Sequence, residues 1–131
     1  METIILLAHG SPKKYAKQTL LALVKKFKSF LKRKNVHICH AFLQFNKPTL
    51  EECLRKILSS ELKVQNLRIV ILPVFLSHGV HTMLDVPKII KKLKKSYKGL
   101  NIKLALPLGA DELLVKLLFK RYKELFPPRQ Q

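Results

Sequence analysis

The chain has 131 residues, 47% of them hydrophobic and 26% charged, a balance that builds a folded core and excludes intrinsic disorder. Its longest apolar run, Ile69 to Leu76, falls far short of the ~20 residues needed to span a bilayer. Lys and Arg number 26 against 8 Asp and Glu, and the resulting net charge of +18 attracts polyanions: nucleic acid, an anionic surface, or a small substrate with many carboxylates or phosphates.

The first predicted element is a buried strand over Thr3 to Ala8, a continuous apolar run ending in His-Gly-Ser-Pro turn chemistry. Its start, METIILLAHG, places Glu where a signal peptide carries Lys or Arg, so no export signal is expected. From Tyr15 to Lys34, Leu20, Leu23, Val24, Phe27, Phe30 and Leu31 recur at helical spacing, with lysines between them for the solvent face. Val36 to Phe45 reads as a second strand, broken by NKPT. Thr49, with Glu52 three residues on, forms a capping box for a helix carrying Leu50, Cys53, Leu54, Ile57 and Leu58 on one face. Leu67 to Leu76 is the clearest strand, rich in β-branched residues, and Pro73 inside it points to a paired part that ends near there or to an irregular strand end. Asp85-Val86-Pro87 starts a third helix with Val86, Ile89, Ile90, Leu93 and Tyr97 as its stripe. Asn101 to Leu106 is a fourth strand, and Asp111 caps a last helix through Leu125, stopped by Pro127-Pro128. There is no internal repeat or linker, and the expectation is one domain over residues 1–131.

Strands alternating with helices predict an α/β fold: a four-stranded parallel sheet with helices on both faces, in the flavodoxin-like order 2-1-3-4. Strands 1 and 3 are then neighbours at the point where the winding reverses, and ligands bind outside the carboxyl ends of strands there. His9 ends strand 1, and His78 and His81 follow strand 3, so this order brings both histidine segments to one crevice. Converging neutral imidazoles suit a transient divalent metal or proton transfer; hydrogen bonding within a turn is the plainer alternative. His37 and His40 lie on opposite faces of strand 2, three residues apart, and read as structural or surface residues. Cys39 and Cys53 have no metal-type spacing, which predicts reduced thiols in a cytoplasmic protein. HGSPKK is neither a P-loop nor a dinucleotide fingerprint.

Four segments follow the predicted strands in turn: LLAHGS, AFLQFNKPTLEE, VILPVFLSHGVHTMLDVP and ALPLGADELL. In that order they resemble the CbiX/SirB sirohydrochlorin chelatases, in their short single-domain form, over essentially the whole chain. The most specific piece is P-x-F-L-x-x-G-x-H-x-x-x-D-x-P, Pro73 to Pro87. The resemblance implies insertion of a divalent metal, Co2+, Fe2+ or Ni2+, into a sirohydrochlorin-type tetrapyrrole, with no organic cofactor and with short chains pairing as homodimers. It makes His9 and His81 the metal contacts, which would then accept the pyrrole protons, with His78 a further candidate. Family members carry Glu in the segment after strand 2, where this chain has Gln44, an amide that cannot accept a pyrrole proton and binds a cation more weakly. Ser11, Lys13, Lys14 and Lys88 are candidates to hold the substrate's carboxylates, and Val80 and Met83, with Leu76, to line its flat face; Phe75 reads as core. Two alternatives stay open: a metal- or tetrapyrrole-binding paralogue without turnover, and a basic nucleic-acid-binding protein. The second lacks an RRM-type aromatic pattern, a zinc finger and a basic recognition helix.

Overall fold

Strand β1 (Glu2–Ala8) lies between β2 (Val36–Phe42) and β3 (Arg68–Pro73), with β4 (Asn101–Leu104) outside β3. This is a computed structural model that describes residues 1–60, 66–77 and 82–128, with backbone only at residues 82 and 83. Among the described residues the sheet has four strands, all parallel, in the order β2-β1-β3-β4 expected from the alternation. The register pairs Leu6 with both His40 and Leu72, and Ile71 with Leu104.

A central strand buried on both faces must be apolar at every position, which is why Ile4 to Leu7 shows no alternation. Ile5 and Leu7, with Ile69 and Ile71, meet Leu50, Leu54 and Leu58 of helix α2 (Leu50–Ser60) and Val86 and Leu93 of helix α3 (Thr82–Ser96). Ile4 and Leu6, with Ile38 and Phe42, meet Leu20, Val24, Phe27 and Leu31 of helix α1 (Lys14–Leu31). The helices thus take both faces of the sheet. Glu2 closes the amino end of β1, its buried carboxylate paired with Arg33 at 3.4 Å and with Arg68.

Several expected boundaries move. β2 stops at Phe42 instead of Phe45, because its partner β1 ends at Ala8 and Phe45 takes a left-handed φ of 70° that no strand accommodates. β3 spans Arg68–Pro73 within the expected Leu67 to Leu76, its last residue paired with Leu7, so Pro73 does end the ladder. β4 is likewise shorter than expected, ending at Leu104. α1 runs Lys14–Leu31 and leaves Leu23 and Phe30 exposed, off the Leu20-Val24-Phe27-Leu31 row that touches the sheet. α3 begins at Thr82, ahead of the expected start, so Asp85 falls in its first turn and Pro87 inside the helix. The caps hold: Glu52 N–H donates to Thr49 Oγ1 at 3.2 Å, and Leu113 N–H to Asp111 Oδ1 at 2.9 Å. Helix α4 (Glu112–Glu124) has no buried residue.

Candidate functional site

At the carboxyl end of β1 two neighbouring loops are stitched to the chain. Leu43 N–H donates to the Ala8 carbonyl at 2.9 Å and Gln44 N–H to the His9 carbonyl at 3.0 Å, so the segment after β2 runs beside His9. Gly10 makes this approach possible. Its φ of 92° is left-handed, and a Cβ there would lie 1.8 Å from the Gln44 carbonyl oxygen. The Asn46 side chain completes the stitch, its Oδ1 accepting from Ser11 N–H at 2.7 Å. On the other side, Val74 N–H donates to the Leu7 carbonyl at 2.7 Å and carries the chain to Phe75, whose ring stands 4.6 Å from the His9 imidazole, tilted by 40°. His9 is therefore half-buried between the loops that follow β2 and β3, at the switch point between β1 and β3.

Positive charge flanks this position. α1 opens four residues beyond Gly10 with no acidic residue in its first turn and with Lys13 as an N-cap that supplies no side-chain cap. Ser11 Oγ accepts from Lys13 N–H at 3.1 Å, which leaves its hydroxyl hydrogen to donate. The remaining helix N–H groups and the exposed ammonium groups of Lys13 and Lys14 sum to an anion-attracting end.

Of the residues singled out in the sequence, His9, Ser11, Lys13, Lys14 and Gln44 come together here. Gln44 is exposed and adjoins His9 through its backbone. Lys88 is exposed on α3, and Met83 is described as backbone in the first turn of that helix. His78, Val80 and His81, and with them the expected meeting of two imidazoles, lie outside the described residues. Phe75 is core as expected, 8% exposed, and its ring also steadies His9; Leu76 beside it is exposed. Among the described residues, no three His, Cys, Asp or Glu side chains gather as a metal site.

Sequence reasoning missed Asn46 and Phe45. NKPT was read as a breaker, whereas its Asn is the side chain that ties the second loop to the first. Phe45 is 68% exposed in a left-handed conformation, a placement that nothing in its neighbours' residue types announces. His37 and His40 do lie on opposite faces. His37 is exposed, while His40 packs edge-on against Phe42 with ring centroids 5.8 Å apart, and burial with the nearby Lys17 charge pushes its pKa down. Its Nε2 is buried without a hydrogen-bond partner among the described residues.

The CbiX family model matches residues 3–125. A sirohydrochlorin cobaltochelatase of Methanococcus aeolicus is 36% identical over 92 residues, covering 69% of this chain and 59% of the relative's own length. A sirohydrochlorin cobaltochelatase of Methanosarcina acetivorans is 33% identical over 128 residues, covering 92% of this chain and 94% of the relative. Among solved structures, the sirohydrochlorin chelatase SirB from Bacillus subtilis subspecies spizizenii in complex with cobalt superposes with a TM-score of 0.77 at 26% identity, over 95% of this chain and 50% of SirB. The βαβ order, the glycine-hinged histidine loop at the switch point and a match running almost end to end agree: this chain belongs to the CbiX family.

Proposed function

We propose that residues 1–131 form one chelatase domain that inserts a divalent metal, Co2+ foremost, into a sirohydrochlorin-type tetrapyrrole. The observation that carries this reading is the His9 loop: a half-buried imidazole held at the β1/β3 switch point between two stitched loops, in a chain of the CbiX family. Insertion exchanges two pyrrole N–H protons for M2+. In this reading His9 and His81, both neutral, present the incoming metal to one face of the ring and accept the released protons as pyrrole nitrogens replace them. His81 enters through its motif and its position directly before Thr82, the first residue of α3. Lys13, Lys14 and the open end of α1 supply the charge that would hold the substrate's carboxylates, with Ser11 as a hydroxyl donor and the exposed Lys88 of α3 as a further cation. Gln44 holds the loop through its backbone N–H but brings no carboxylate to share the metal or the protons, so the proton work falls to the histidines.

The proposal includes a homodimer in the cytoplasm. The chain matches half of the SirB chain, and two copies restore that length. Helix α4 supports the pairing, since it exposes Leu113, Leu118 and Phe119 to solvent. Among the described residues no helix is long and apolar enough to cross a membrane.

Anaerobic incubation with sirohydrochlorin and Co2+, followed by absorbance, tests the reading. The expected result is metal insertion, reduced about a hundredfold or more in His9→Ala and in His81→Ala. Tetrapyrrole binding without insertion would replace the enzyme with a carrier, and unimpaired insertion in the double variant would discard the histidine mechanism.

A further inference from the structure

The edge strand β2 and helix α2 bring together two thiols that lie fourteen residues apart in sequence. Cys39 Sγ and Cys53 Sγ are 3.7 Å apart. We propose that this pair is a metal site separate from the His9 loop, a two-thiolate clasp for a thiophilic divalent cation such as Zn2+ or Co2+.

The spacing is the first support. Two sulfurs bound at about 2.3 Å to a tetrahedral ion lie about 3.8 Å from each other, close to the separation already present. A disulfide would require them to close to about 2 Å. The second support is access. Both cysteines line an open cleft of about 540 Å³ along the sheet edge, together with His37, Glu52, Lys56 and Ile57, and Cys39 is half-buried, not sealed. Binding forms two metal–sulfur bonds, and the two thiol protons leave to solvent, so affinity rises with pH.

Among the described residues no third His, Cys, Asp or Glu joins the pair. Structural zinc sites have four protein ligands; two thiolates with open positions make an exchangeable site.

Anaerobic titration of the reduced full chain with Co2+ tests the site. The expected result is thiolate-to-cobalt charge-transfer absorption in the near ultraviolet that saturates at one ion per chain. Cys39→Ser and Cys53→Ser each abolish it, and His9→Ala keeps it. No such absorption in the unsubstituted protein, its survival in both Cys variants, or its loss in His9→Ala overturns the proposal. Should a Cys variant fail to fold, X-ray absorption on the Zn2+-loaded unsubstituted chain decides. About two sulfur neighbours at ~2.3 Å support the clasp, and a first shell of nitrogen and oxygen alone makes the pair core packing only.

Discussion

A methyl group at position 10 would sit 1.8 Å from the Gln44 carbonyl oxygen and 3.0 Å from Asn46 Oδ1, on a backbone already at φ 92°. The two atoms it meets belong to the loop that stitches β2 to His9, so a substitution must either open that loop or rotate Gly10 away from it. Gly10→Ala is therefore expected to cost on the order of 3 kcal/mol in urea-induced unfolding and to lower metal insertion as well. A stability within ~0.5 kcal/mol of the unsubstituted protein would mean that the loops part freely and that His9 is not held by this contact. Phe75 acts on the same imidazole from the other side, and as a core residue it couples His9 to the packing of β3.

At the scale of elements, α4 differs from the other three helices. α1, α2 and α3 each press an apolar row onto the sheet, and α4 contributes to neither core cluster. Leu113 is 73% exposed, Leu118 63% and Phe119 56%, and Leu125 and Phe126 extend the apolar surface past the helix end. Exposure on this scale along one helix is unfavourable in water unless a second surface covers it. If two copies meet through α4, Leu118→Lys combined with Phe119→Glu is expected to shift light-scattering mass from dimer to monomer while far-ultraviolet circular dichroism stays helical. A dimer surviving this double substitution would move the interface elsewhere. The shortened β2 and β3 also make sense at this scale. β2 stops at Phe42 opposite Ala8, the last residue of β1, and β3 stops at Pro73 opposite Leu7, which frees the following residues to form the loops around His9.

For the whole molecule the deciding quantity is charge. With 26 basic and 8 acidic residues, and with Glu2, Glu51 and Glu124 engaged in ion pairs, most lysines have no carboxylate to neutralise them. Such a field attracts polycarboxylates and is screened by salt. The KM for a sirohydrochlorin-type substrate is expected to rise roughly threefold or more as NaCl goes from about 0.05 to 0.5 M. A flat KM would leave the lysines a role in solubility alone.

The alternation of strands and helices, the sheet order and the position of His9 beside the switch point were all readable in the chain. They depend on hydrophobic period and turn chemistry, which are local properties of the residues. The family was readable too, because its motifs sit at fixed places after each strand. What only the tertiary structure decided were contacts between segments distant in sequence: Asn46 reaching Ser11, Gly10 yielding space to Gln44, Phe75 against His9, Cys39 against Cys53, and α4 left without a core. No residue in these pairs carries a local signature of its partner. Which atoms meet depends on register and helix docking, set by the sheet as a whole.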